Sequence, residues 1–265
     1  MDNFVTGRWA LVTGASSGLG VDFARELASR GCNIILVARR EQRLIAVREQ
    51  LTKDFGVECE IIVKDLVPRQ ASVELYAEVK NLGLDVDILV NNAGFGLFGE
   101  FLDIDWDRER EMLQLDMISL THLTKLFAKE MSRRNFGYIL QISSIGAYQP
   151  TPTYATYAAA KSYVLHFGEA LNYELRDTDV SCTVLSPGVT ATEFLEVSGQ
   201  KPSLYQRLVM MESRDVARTG VEAMIKRRSS VVPGWMNKLA VFTIRFIPRR
   251  MAAALGNFLM TSGQR

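Results

Sequence analysis

The sequence predicts an α/β fold, a doubly wound parallel sheet of seven strands with helices on both faces. Three observations predict it. Short β-branched runs alternate with longer stretches of helical period, the runs are apolar throughout, and glycine-bearing motifs fall where the runs end. Continuous apolar character suits strands covered on both faces, and strict strand–helix alternation suits βαβ crossovers.

Trp9–Thr13 reads as the first strand, followed by a glycine loop and a helix over Gly18–Arg30. Asn33–Ala38 is a six-residue apolar strand, and Glu41–Asp54 carries helical spacing between charged residues. Cys59–Val63, a helix over Arg69–Asn81 and a strand over Asp87–Val90 continue the alternation. A long helix is expected over Trp106–Arg134, then a strand over Tyr138–Ile142 and a helix over Thr153–Arg176. Ser181–Ser186, a helix over Arg214–Arg228 and a last strand over Ser230–Pro233 close the pattern. There is no repeat or low-complexity linker, and 265 residues with 48% hydrophobic content supply one large core. Residues 1–265 are therefore expected to form a single domain.

A formal net charge of +1 gives no overall bias toward nucleic acid. Cys32, Cys59 and Cys182 are odd in number, far apart and set in apolar runs, as expected of core thiols in a reduced compartment. His122 and His166 lie in different helices without neighbouring ligands, so no metal site is expected. No early segment joins a charged start, an apolar run and a small-residue cleavage site, and no apolar run spans a bilayer. The expected localisation is cytoplasmic.

In such a sheet ligands bind beyond the carboxyl ends of the strands, where the winding reverses. After the first strand comes Thr13-Gly14-Ala15-Ser16-Ser17-Gly18-Leu19-Gly20. Glycines let the backbone approach a pyrophosphate, and the helix N-terminus supplies N–H donors. The spacing is T-G-x-x-x-G-x-G, with Phe23 where the commoner fingerprint has its third glycine. The second strand ends in Ala38, Arg39 and Arg40, without the carboxylate that would accept a ribose 2′-hydroxyl. Guanidiniums there suit a 2′-phosphate, so NADP(H) is favoured over NAD.

Tyr157 and Lys161 stand four residues apart in a helix, one turn along one face. A phenol, with a pKa near ~10, is a poor catalyst at neutral pH unless its phenolate is stabilised. An adjacent ammonium does this, so Lys161 is expected to lower the Tyr157 pKa. Ser144, just beyond the fifth strand, is placed to bond the reacting oxygen. Asp65-Leu66, Asn91-Asn92-Ala93-Gly94 and Pro187-Gly188 fall after the third, fourth and sixth strands.

In order and spacing this set resembles the short-chain dehydrogenase/reductase superfamily, in its single-domain branch, over nearly the whole chain. The resemblance implies a Rossmann-type sheet and hydride transfer between NADP(H) and a ketone, aldehyde or secondary alcohol. Ser144 would position the substrate oxygen, Tyr157 would give or take the proton, and Lys161 would bond the nicotinamide ribose. It implies further cofactor contacts from Gly14, Ser16, Ser17, Gly18, Leu19, Gly20, Arg39 and Arg40. Asp65 and Leu66 would lie at the adenine, and Asn92, Ala93 and Gly94 at the adenosine ribose. Pro187, Gly188 and Thr190 would hold the carboxamide, with Thr192 near the pyrophosphate, and Tyr154 is a candidate pocket wall. One departure stands out: Asp116 occupies the place of a usual Asn whose main-chain carbonyl serves a proton relay.

Residues 189–212 resemble the family's substrate lid, with Phe194, Leu195, Leu204, Tyr205, Leu208, Val209 and two methionines, a lining suited to a bulky hydrophobic carbonyl or alcohol. A plain packed helix pair explains the same residues equally well. In the segment of about 235–262, Lys238, Arg245, Arg249 and Arg250 interleave with Trp235, Leu239, Phe242, Ile244, Phe246, Phe258 and Leu259. This composition fits a membrane-surface helix or a subunit contact. The subunit contact is favoured, with a homodimer or homotetramer expected, because oligomers are common and one interfacial helix holds weakly. Two other functions remain open: a catalytically silent NADP-binding redox sensor, and a membrane-associated fatty-acyl or sterol reductase. The intact Ser144, Tyr157 and Lys161 speak against the first.

Overall fold

Strands β1 (Trp9–Thr13), β2 (Asn33–Ala38), β3 (Cys59–Val63), β4 (Val86–Asn91), β5 (Gly137–Ile142), β6 (Val180–Leu185) and β7 (Ser230–Val231) form one sheet in the computed structural model of the chain. The structure describes residues 5–201 and 203–261. All pairs are parallel and the order is β3-β2-β1-β4-β5-β6-β7. The winding reverses between β1 and β4, which opens the crevice where the glycine loop was expected to work.

Strands β1, β4, β5 and β6 are almost wholly buried because helices cover both faces. On one face, α1 (Gly18–Ala28), α2 (Glu41–Phe55) and α9 (Ser213–Ile225) pack Phe23, Leu27, Leu44, Val216 and Met224 against the sheet. On the other, α3 (Ala71–Asn81) and α5 (Leu120–Arg134) bring Leu75, Val79, Leu123 and Phe127. Also present is α6 (Ala155–Glu174), whose Gly168 lets it approach β6 so closely that a Cβ there would strike Val184. The three thiols are unpaired, Cys32 and Cys182 being buried, as their apolar settings predict.

The expected single helix over Trp106–Arg134 is instead three pieces of one rod. It runs as α4 (Trp106–Leu113), a π-helical turn over Gln114–Ser119, and then α5. Three ties fasten this rod to α6: Thr156 Oγ1 donates to Glu109 at 2.5 Å, Lys161 pairs with Asp116, and Thr121 meets the Tyr163 hydroxyl at 2.8 Å. The other expected elements differ at their ends by up to three residues, where capping and local turns decide. Gly56, at φ 68°, stops α2 in the left-handed conformation.

Residues 194–261 add α7 (Phe194–Ser198), α8 (Leu204–Val209), α10 (Trp235–Thr243) and α11 (Arg249–Thr261). The side chains of Leu204, Tyr205, Leu208 and Leu259 lie outside the described residues.

Candidate active site

The site is built where the carboxyl ends of β1, β4, β5 and β6 meet the crevice. Thr13, the last residue of β1, clasps the two halves: its hydroxyl donates to the Val90 carbonyl and accepts from the amides of Asn92 and Ala93 at 3.0 and 2.9 Å. Asn92 returns its side-chain amide to the Thr13 carbonyl at 2.9 Å. The sequence motif includes Thr13 without marking it as this clasp. Gly14 and Gly18, at φ 68° and 52°, hold left-handed turns that other residues rarely adopt. A Cβ on Gly14 would lie 2.8 Å from Asn92 Nδ2, and one on Gly20 would strike the Gly14 carbonyl. Gly18 faces Thr192, which a Cβ would approach to 3.0 Å. Bare backbone along the loop, leading into the α1 N-terminus, is the cradle a pyrophosphate needs, so these residues fit a dinucleotide.

The arginines at the end of β2 behave differently from each other. Arg39 is exposed and has no ion-pair partner among the described residues. Arg40 donates to Ser16 Oγ at 3.1 Å and Ser17 Oγ at 2.6 Å, and pairs with Glu193 at 3.1 Å. Glu193 also pairs with Arg43 at 2.6 Å, and Arg43 followed by Arg40 holds its carboxyl below the usual range. Neither Glu193 nor Arg43 had a signal in the sequence. Asp65 is exposed and accepts from the Val67 amide, while the buried Leu66 gives its carbonyl to Ser119. Pro187 accepts from the Ile145 amide, and Thr190 donates to the Gly188 carbonyl at 3.0 Å. Gly188 lies against the buried Asn237, whose amide nitrogen a Cβ would meet at 2.5 Å. Leu19, in the first turn of α1, packs against the core.

Ser144, Tyr157 and Lys161 come together at the end of β5. The Ser144 hydroxyl accepts from the Gly146 amide at 3.1 Å and stands near enough to the Tyr157 phenol to pull its pKa down. Lys161 is buried, donates to the Ile142 carbonyl at 3.2 Å, and has its nitrogen 5.6 Å from the centre of the Tyr157 ring. Ser143 steadies the same turn of α6 by donating to the Lys161 carbonyl at 2.7 Å.

Asp116 enters through its side chain, and this departs from the main-chain role the resemblance implies. Fully buried in the π turn, its Oδ2 lies 2.8 Å from Lys161 Nζ, and its Oδ1 accepts from the Phe95 amide at 3.3 Å. Gly94 makes room for it, since a Cβ there would sit 2.7 Å from Oδ1. Burial pushes the Asp116 carboxyl up, against the opposing pull of Lys161 and the Phe95 amide.

The expected lowering of the Tyr157 pKa is not what this geometry produces. Burial and then the Asp116 charge push the phenol up, and the Ser144 hydrogen bond pulls it only partly back. The chief physical reason is burial, which penalises the phenolate, with the nearby Asp116 carboxylate second. Two aromatic rings stand beside the Tyr157 ring, Tyr154 at 5.6 Å and Phe194 at 5.4 Å, and Phe98 lies behind them, 5.4 Å from Tyr154. Tyr154 bonds Ser198 and Gln200 of the 189–212 segment at 2.9 Å each. Tyr154 thus stands beside Tyr157, as a pocket wall would, whereas Phe98 had no signal in the sequence.

Residues 8–203 match the family model described as short chain dehydrogenase. Very-long-chain 3-oxoacyl-CoA reductase of Anas platyrhynchos is 34% identical over 203 residues, covering 74% of this chain and 64% of that protein. Inactive hydroxysteroid dehydrogenase-like protein 1 of Homo sapiens is 35% identical, covering 70% and 57%. The chain thus spans about three-fifths of the length of these relatives. A structure described as a short-chain dehydrogenase from Sphingobium yanoikuyae in complex with NADPH aligns with a TM-score of 0.80 at 25% identity, covering 93% and 98%. A 7beta-hydroxysteroid dehydrogenase structure reaches 0.86 at 23% identity over 95% and 97%, a likeness of fold.

Proposed function

The chain belongs to the short-chain dehydrogenase family, and from that premise we propose that it is an NADP(H)-dependent oxidoreductase acting on a bulky hydrophobic ketone or its alcohol. The observation that carries the proposal is the convergence of Ser144, Tyr157 and Lys161 at the end of β5, beside the bare glycine loop of β1. Gly14, Ser16, Ser17, Gly18, Leu19 and Gly20 would hold the pyrophosphate, with Thr192 closing over it. Asn92, Ala93 and Gly94 would line the adenosine ribose, Asp65 and Leu66 the adenine, and Pro187, Gly188 and Thr190 the carboxamide. The exposed Arg39 is free to meet a 2′-phosphate, and Arg40 stands beside it. The bound dinucleotide supplies or accepts the hydride.

The chain's own residues do the rest. The Ser144 hydroxyl donates to the substrate oxygen and holds it against Tyr157. Tyr157 gives its proton to that oxygen as the carbonyl is reduced, and takes it back in the oxidative direction. Held up by burial, the phenol stays protonated at neutral pH, as a donor must, while its weaker acidity makes the transfer itself harder. Lys161 bonds the nicotinamide ribose, and Asp116 positions Lys161 through the 2.8 Å pair. Rings of Phe98, Tyr154 and Phe194 exclude water and favour an apolar substrate body. Relatives named very-long-chain 3-oxoacyl-CoA reductase and 17-beta-hydroxysteroid dehydrogenase type 3 point to two ketone classes to try first.

The test is NADPH consumption by the purified chain with steroid ketones, 3-oxoacyl thioesters and simple aldehydes. Turnover that disappears in Tyr157→Phe while NADPH still binds supports the proposal. NADPH binding without turnover on any of them would favour the silent sensor.

A further inference from the structure

We propose that α10 and α11 form a docking surface for an anionic lipid bilayer, placed beside the mouth of the substrate pocket. The surface itself is independent of the reading above; only its use as a route for lipophilic substrate rests on that reading.

A helix packed on a globular core turns its apolar stripe inward. These two helices do the reverse. On α10, Trp235, Leu239 and Phe242 are exposed at i, i+4 and i+7, and Phe246 follows, 74% exposed. On α11, Met251, Leu255 and Phe258 repeat the same spacing, also exposed. The inward positions are small or polar: Asn237 on α10, Ala252 and Gly256 on α11. Tryptophan and phenylalanine are residues that partition well at a lipid–water boundary.

Charge selects the partner. Beyond Glu222 the chain has no acidic residue. Lys238, Arg245, Arg249 and Arg250 are exposed, and none has an ion-pair partner among the described residues. Several exposed arginines elsewhere are paired, as with Arg43, Arg108, Arg110 and Arg218, while Arg39 and Arg69 stand singly without an ion pair among the described residues; here four unpaired cations share one segment. A two-fold contact sets a patch against its own copy, which here would bring cations against cations with no carboxylate to relieve them. An anionic lipid surface satisfies the cations and takes up the aromatic stripe at once. No helix among the described residues is long and apolar enough to cross a membrane, so the surface would lie on the bilayer.

Position ties the surface to the site. The α10 helix packs on the turn Ile145–Tyr148 that follows Ser144, and Asn237 fills the space over Gly188. The α11 helix packs on α8 of the lid, with Gly256 against the Pro150 carbonyl.

Flotation of the purified full chain with vesicles of phosphatidylcholine, with and without phosphatidylserine, tests the proposal without substrate or cofactor. Binding is expected only with phosphatidylserine and should fall as salt rises. Each cation neutralised at such a surface weakens binding roughly fivefold, so Lys238→Gln, Arg245→Gln and Arg249→Gln together should cost about 100-fold. Trp235→Ser with Phe242→Ser should also release the protein, and the exposure of both side chains leaves the fold intact by circular dichroism. Equal affinity for neutral vesicles, or none for either, would overturn the proposal. So would a lipid-free dimer that Trp235→Ser and Phe242→Ser dissociate, since that would make the stripe a subunit contact. Turnover on a water-soluble ketone, measured separately, shows whether the catalytic reading stands or falls on its own.

Discussion

Replacing Asp116 by Asn removes one charge from a fully buried pair and changes little in shape. Opposite unit charges 2.8 Å apart attract by about 6 kcal/mol at an effective dielectric constant near 20. Desolvation of both groups offsets part of this, and breaking a buried pair from one side costs ~3–5 kcal/mol because the other charge is left alone. At ~2–4 °C per kcal/mol for a chain near this size, the Asp116→Asn protein should melt lower by on the order of 10 °C. The second consequence concerns protons. Asp116 helps hold the Tyr157 phenol up, so its loss lets the phenol ionise at lower pH. In the proposed mechanism the phenol is the donor in carbonyl reduction, so activity is expected to be lost as pH rises through its pKa. The alkaline limb of kcat for Asp116→Asn should therefore move to lower pH. Differential scanning calorimetry and pH–rate profiles of both proteins measure the two effects. A lower Tm with superimposable profiles would refute the coupling to Tyr157 and leave Asp116 a scaffold residue.

Tyr157→Phe should lower turnover by roughly 10²–10⁴-fold, the range of a lost proton-transfer group, with NADPH affinity within a few-fold by fluorescence titration. Arg39→Ala should weaken NADPH by ~1.5–3 kcal/mol and leave NADH nearly unchanged; equal use of both cofactors by the unaltered protein would refute the 2′-phosphate assignment. Gly20→Ala should abolish dinucleotide binding in the same titration, because its methyl group would strike the Gly14 carbonyl and distort the cradle. Tyr154→Phe removes the hydroxyl shared with Ser198 and Gln200 and should raise protease sensitivity around Phe194–Ser198 while leaving the global melt little changed.

Much of the fold was legible because burial on both faces writes itself as unbroken apolar runs. Strands β2 and β3 fall on the residues the sequence predicts, since Asn33–Ala38 and Cys59–Val63 are bounded by charge and glycine. The break in Trp106–Arg134 was not legible, because one extra residue in a turn leaves the apolar spacing on either side undisturbed. Ser144, Tyr157 and Lys161 were readable from strand ends and a four-residue interval. Glu193 was not: it lies 153 residues from Arg40 and 150 from Arg43, and only the folded chain brings this carboxylate onto the β2 end. Asp116 stood out in the sequence as an oddity of residue type. Its side-chain pairing depended on the π turn and on the space left by Gly94, neither of which has a local signature.

The π turn makes the site sensitive to residue number as well as residue type. Such a turn carries one residue more than the α-helical turn it replaces. Losing a single residue between Gln114 and Ser119 would restore an even α-helix and swing one end of the rod by about 100° against the other. The ties to α6 at Glu109, Asp116 and Thr121 straddle this point, so no rotation satisfies all three at once. Any chain that brings a carboxylate to this lysine along this helix must therefore keep the inserted residue as well. A one-residue deletion here would do more damage than most substitutions within the turn.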